Sequence, residues 1–327
     1  GLEQFVLAVG SSYGLTVITT LTILYVAGYL SATLIAGALG LISLILFVFG
    51  LLRPLPEPYA ARPTLFVFIP VAIAAFFSLT GLGYADYWGD EMNGLLRALS
   101  AIDGRWQIVL EHTKGPVEIL IPATFGLLVG QFDPFVLRFP FALAFVAGIG
   151  AFFLLVRRLF SLEVALLAAL LLAINGLHLA FGRMVQYQSV VLLASSLSIL
   201  MAYQYFLTGQ TNALVTSMIL VGLGLLAHYD MLLSLPPIAF LVVSRLGWRW
   251  SRWVAHWKGL GAAAVTLVAI VGIFYIPFLM HPRAAETSSY LTRRIAESGL
   301  ISNNFGDLYL YSVMYNSRYY FAFVGIL

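Results

Sequence analysis

Residues 31–52 read SATLIAGALGLISLILFVFGLL, with no ionisable side chain in the run. A helix needs about 20 apolar residues to cross the hydrocarbon core of a bilayer, and this stretch supplies them. Comparable runs fall near 5–29, 64–82, 139–156, 163–181, 189–207, 212–228, 231–245 and 259–280, and a further one starts near 319. In hydrocarbon a helix satisfies its own backbone hydrogen bonds, whereas barrel strands would be about ten residues long and alternating. Only 9% of the residues are charged, against about 25% in soluble domains. The expected fold is therefore all-α, a polytopic membrane helix bundle of about nine or ten spans.

Arginine and lysine placement sets the orientation. The loop 53–63 carries Arg53 and Arg62, the turn after 156 carries Arg157 and Arg158, and the loop after 245 carries Arg245, Arg249, Arg252 and Lys258 among tryptophans suited to an interface. All three are placed in the cytoplasm. The run 117–130 is only about fourteen residues long, and the arginine bias is kept only if it does not cross. Four polar segments then face outward: 83–116 with its extension to Arg138, 182–188, 228–230 and 281–318. The organisation expected is two N-terminal helices and a loop (1–63), a central module with its first outer loop at 83–138 (64–245), and a C-terminal part (246–327).

The chain has no cysteine and a net charge of +3. Disulfides and thiolate chemistry are thereby excluded, and nothing points to nucleic acid. Gly1-Leu2-Glu3 does not open a signal peptide. The last residues, YYFAFVGIL, stop inside a fresh apolar run, so the chain reads as part of a longer protein. The localisation expected is the inner membrane of a bacterium or archaeon, with the site facing outside.

The outer segments hold much of the ionisable chemistry. In GDEMNGLLRALSAIDG, Met92, Leu95, Leu96 and Leu99 recur at i, i+3, i+4 and i+7, which predicts a short amphipathic helix at the membrane surface. Asp90 stands where an N-cap belongs and Glu91 falls in the first turn, where the helix dipole favours an acid. A carboxylate held there is also suited to act as a general base. In EHTKGP, Lys114 either snorkels or binds a phosphate as a point charge. Glu111 and His112 are placed to orient a substrate; one such pair does not make a metal site, so no metal ligand is assigned and a divalent ion is left open. Arg138 is either an interface anchor or a second cation for the same phosphate. Arg183 lies close to the membrane, where ionisable groups are costly and often functional. Gln186, Tyr187 and Gln188, with His228 and Asp230 at the end of another run, offer contacts to a sugar or headgroup.

These residues resemble the integral-membrane glycosyltransferases of the GT-C class, above all the family 39 protein O-mannosyltransferases and the aminoarabinose transferase of lipid A. Asp90-Glu91 matches the acidic pair of their first outer loop. Glu111 to Pro116 resembles a following H/E-x-K-P-P-like motif, and RFPFAL (Arg138 to Leu143) an R-[LF]-P-[SF]-A-L stretch opening a span. The RRLF turn and Arg183 at an outer span end also fit. The resemblance covers roughly residues 64–245. The second proline of the K-P-P motif is absent, because Gly115 follows Lys114; Gln186 and Gln188 stand where an acid is common, and two spans rather than one precede the acidic loop.

The resemblance implies transfer of a sugar from a polyprenyl-phosphate donor to an acceptor outside the cytoplasm. Asp90, with Glu91, would be catalytic; Lys114, Arg138 and Arg183 would hold the donor phosphate. No cofactor is implied beyond the lipid-linked sugar. The partners are membrane lipids, the donor, an acceptor the sequence does not name, and, on one reading, other subunits of a membrane complex. The alternative is a non-catalytic GT-C-like subunit with a structural or assembly role.

Overall fold

The computed structural model describes residues 2–52, 65–83, 85–112, 114–285 and 289. The expected loop 53–63, most of 281–318 and the run from 319 lie outside the described residues. All regular elements among the described residues are helical, and the protein is an integral, multi-pass helical bundle. Helix α1 spans Leu2–Ala27, α2 Ala32–Leu52, α3 Phe68–Leu79, α4 Gly89–Ile102, α5 Val117–Val129, α6 Pro134–Leu159, α7 Leu162–Ala173, α8 Gly176–Gly182, α9 Gln188–Thr208, α10 Thr211–Ala227, α11 Leu235–Leu246 and α12 Trp250–Met280. Short 3₁₀ turns precede α3, follow α4 (Trp106–Glu111) and precede α11.

Every apolar run within the described residues folds as helix, but the runs are not equivalent. Among the described residues six helices are long and apolar enough to span, seven if α7 and α8 count as one span bent by 66°. The bend falls where Asn175 accepts the His178 N–H and starts a new helix inside the run 163–181. α10, with 17 residues, and the stretch Leu65–Leu79 are shorter. α5 has 13 residues; at about 1.5 Å each that is roughly 20 Å, short of the ~30 Å core. Its first eight residues are all buried, so it is an internal element wedged among α1, α4 and α6.

One apolar cluster runs from α1 through α5, α6, α9 and α10 to α12. At one end of the bundle Arg158, in the last turn of α6, pairs with Glu3 of α1 at 3.1 Å. Arg245, in the last turn of α11, closes α9 by donating to the Phe206 and Leu207 carbonyls. The chemistry sought in the sequence gathers at the opposite ends of these helices.

Helix α4 departs from expectation at its start. Trp88, not Asp90, is the N-cap, with an extended backbone; Asp90 and Glu91 are the second and third helical residues. Glu91 accepts the Trp88 N–H at 3.1 Å, closing the first turn by the acid half of a capping box. The predicted stripe also divides. Leu95 enters the core, while Met92, Leu96 and Leu99 are exposed. Together with Trp88 they give α4 an outward apolar face, as a helix bordering lipid requires.

Candidate functional site

Two buried carboxylates organise the end of the bundle opposite the Arg158–Glu3 pair. The first is Glu91, fully buried in α4. It accepts from Arg138 Nε and Nη2, each at 2.8 Å, from the Trp88 N–H, and from the Val185 N–H at 3.0 Å. Arg138 also donates to the carbonyls of Leu82, Ala85 and Asp86. A guanidinium has five N–H donors, and all five are used. This corrects two assignments. Arg138 has no donor left for a lipid phosphate, and Glu91 has no accessible oxygen with which to act as a base. The pair ties the loop before α4 to α6.

The second carboxylate is Glu118 in α5, 2% exposed. Its Oε2 lies 3.0 Å from His112 Nε2 and 3.5 Å from Lys114 Nζ, and its Oε1 accepts the Tyr187 N–H at 3.0 Å. Arg97 Nη1 lies 3.0 Å from His112 Nδ1. Arginine only donates, so Nδ1 accepts, the proton sits on Nε2, and His112 is a neutral donor to Glu118. Burial agrees, holding the His112 pKa below the usual range. His112 is therefore not a substrate contact: both nitrogens are committed and the ring is buried. Glu111 likewise turns to structure, its carboxylate paired with Arg283 at 2.6 Å.

Arg183 lies where three carbonyls at the end of α3 meet it. It donates to Phe77, Thr80 and Gly81, capping that helix. That work accounts for its place near the membrane without a phosphate. Of the three expected phosphate cations, Lys114 alone is held loosely. Its ammonium is 3.4 Å from Gln186 Oε1 and 5.1 Å from the Tyr187 ring centroid, and its side chain is 21% exposed. Tyr187 stacks on His228 at 3.6 Å with the planes 5° apart, and His228 meets Tyr229 at 3.8 Å. The expected contacts Tyr187 and His228 thus form a column with Tyr229, capped by Lys114, and the Asp230 carboxylate lies beside it, 3.1 Å from His228 Nδ1. His228 Nδ1 accepts the Asp230 N–H at 3.1 Å, and burial pushes its pKa down to about 4 despite the Asp230 carboxylate. Gln188 Oε1 is buried without a hydrogen-bond partner. Asp90 is exposed beside Glu91, at the start of the lipid-facing helix.

The departure at Gly115 has a steric cause. A Cβ there would sit 1.9 Å from the Leu226 carbonyl oxygen. The chain crosses so close to the end of α10 that only glycine fits, and this approach brings Lys114 toward the His228 column.

Glu118 and Arg97 escaped the sequence reading. Glu118 did leave a signal: it is the lone acid in the run 117–130, and a carboxylate in such a setting is costly unless paired. Arg97 looked like an ordinary polar position of an amphipathic helix. Among the described residues no three His, Asp or Glu side chains converge as metal ligands.

Polar side chains are drawn to one end of a helical membrane bundle, beside a helix with an exposed apolar face. The family is fixed by comparison: the profile of the dolichyl-phosphate-mannose-protein mannosyltransferases matches residues 113–276, half of the chain, and the protein belongs to that family of membrane glycosyltransferases. The match contains Lys114, Glu118, Arg138, Arg183, Tyr187, Gln188, His228 and Asp230, and begins after Asp90. No curated protein and no solved structure matches the chain.

Proposed function

We propose that the protein transfers a sugar from a polyprenyl-phosphate donor to an acceptor on the extracytoplasmic side of the membrane. The observation that carries this reading is Lys114, a cation held over an aromatic ring at the mouth of a polar cluster and not saturated by backbone carbonyls. The apolar groove along α4, lined by Tyr87, Met92, Leu96, Leu99 and Phe132 among others, offers the prenyl chain an apolar surface near Asp90.

In the reaction Asp90 takes the proton of the acceptor hydroxyl. The acceptor oxygen bonds to the anomeric carbon as the bond from that carbon to the phosphate oxygen breaks, inverting the configuration. Polyprenyl phosphate leaves with its charge stabilised by Lys114. Gln188, whose buried oxygen lacks a donor, and Asp230 hydrogen-bond the sugar hydroxyls. The donor itself supplies the activated leaving group, so no further cofactor is assigned.

The test is native mass spectrometry and transfer from radiolabelled polyprenyl-phosphate sugars in proteoliposomes. Lys114→Ala loses the bound polyprenyl phosphate, while Asp90→Asn keeps it and loses transfer. Transfer retained by Asp90→Asn removes the base. A protein that holds no such lipid, and comes from its native membrane only with a stoichiometric set of other subunits, is a scaffold and not an enzyme.

A further inference from the structure

Helix α12 is too long for the membrane it crosses. Its 31 residues reach about 46 Å at ~1.5 Å each, against a hydrocarbon core of ~30 Å, so roughly ten residues lie outside. Its C-terminal two-thirds is uncharged, so the excess falls at the start, in WSRWVAHWK. Here Trp250, Trp253, Val254 and Trp257 recur at i, i+3, i+4 and i+7. A stripe with that spacing ordinarily turns inward. In this helix it turns out: Trp250 is 78% exposed, Trp257 62% and Val254 50%, and Trp248 in the preceding turn is 96% exposed.

At 100° per residue, Trp250, Val254 and Trp257 share a sector about 80° wide with Val265, Val268 and Leu279 further along α12. Those three are also exposed, as a face turned to lipid tails is. The tryptophan stripe therefore continues the lipid-facing side of the helix past the hydrocarbon edge. The opposite side packs inward, with Gly259 against Thr211 and His256 beside the Tyr205 hydroxyl at 3.3 Å. The turn is fixed by Trp253 Nε1 donating to the Gly247 carbonyl at 2.9 Å.

Charge identifies the leaflet's chemistry. Arg249, Arg252 and Lys258 are exposed around this segment, and no carboxylate among the described residues pairs with any of them. From Met231 to Ala285 the sequence contains no Asp or Glu. We propose that the α11–α12 turn and the first three turns of α12 form a docking surface for anionic phospholipid headgroups, with the indole rings at the headgroup level and the three cations on the lipid phosphates. This surface lies at the opposite end of the bundle from Lys114 and is independent of the transfer reaction. It would anchor the helix whose far end, through Arg283 and Glu111, is tied to the outer cluster.

The full-length protein is extracted from liposomes of mixed phosphatidylcholine and phosphatidylglycerol, and the lipids it retains are counted by native mass spectrometry. The expected result is several-fold enrichment of phosphatidylglycerol over its share in the liposome, abolished in Arg249→Gln/Arg252→Gln/Lys258→Gln. Size-exclusion elution reports whether the triple variant is folded, and Lys258→Gln alone gives a partial loss if it is not. Brominated lipids quench tryptophan emission less in Trp250→Phe/Trp257→Phe than in the parent. The proposal is overturned if the parent shows no enrichment, if the triple variant enriches as strongly as the parent, or if these substitutions release a stoichiometric protein partner and leave lipid retention unchanged.

Discussion

Adjacent acids with opposite roles are the sharpest prediction the structure makes. Glu91 receives two bonds from Arg138 and two from backbone N–H groups, and it is fully buried. Glu91→Gln keeps the shape, removes the charge, and turns an amide N–H₂ toward groups that can only donate. Removing one partner of a buried ion pair costs about 3–5 kcal/mol, because the other is left buried and uncompensated. The three carbonyls that Arg138 ties down keep it from swinging out to water, so the upper part of that range applies. At about 1.4 kcal/mol per decade, about 4–5 kcal/mol raises the unfolded fraction by roughly seven hundredfold to several thousandfold, a large share of a total stability of about 5–15 kcal/mol. Asp90 is exposed, and Asp90→Asn should leave stability within about 0.5 kcal/mol of the parent. The assay is unfolding in a mixed-micelle denaturant series, followed by tryptophan emission and by survival on size exclusion. A Glu91→Gln protein as stable as the parent, or an Asp90→Asn protein as weak as Glu91→Gln, refutes the assignment of the first acid to chemistry and the second to structure.

Gly115→Ala places a methyl 1.9 Å from the Leu226 carbonyl; the two segments must part, costing about 1–3 kcal/mol, and polyprenyl-phosphate retention should fall with Lys114 displaced from Tyr187. The pH dependence of stability has a definite sign. His228 titrates near 4 when folded and near 6.5 when unfolded, so the unfolded chain binds more protons between these values; the contribution is complete above about pH 6.5 and lost as pH falls toward 4. His112 shifts in the same direction. Thermal midpoints across that window should therefore decline on acidification, and His228→Phe, which keeps the ring stack, should flatten part of the decline. A variant that declines as steeply as the parent removes His228 as the cause.

The bundle was legible in the sequence because hydrophobic run length is a local property. Residues 31–52 announce a spanning helix without reference to anything else. The short helix α5 was separated from the spans by the same measure, with the arginine bias as arbiter. The site was legible only as a list of polar residues. Whether Arg138 meets a phosphate or Glu91 depends on residues 47 positions apart, and no spacing rule reports that. Arg183 was singled out for its costly location, which was sound, but the cost is offset by helix-end carbonyls. Glu118 is invisible to run length, which reports whether 117–130 can cross and not what its one acid pairs with.

The loop between α8 and α9 is held from two sides, Val185 N–H by Glu91 and Tyr187 N–H by Glu118. These acids precede their loop partners by 94 and 69 residues. During synthesis at about 5–20 residues per second, the first half of the chain therefore waits on the order of 5–20 s with two carboxylates in or near the membrane and part of their bonding absent. This end of the bundle cannot be completed by the N-terminal half of the chain; it closes when the loop leading into α9 drops between the two acids. Biogenesis of the site is thus a late event set by insertion order, and a chain halted before that loop would present the membrane's quality control with two carboxylates each short of one backbone N–H.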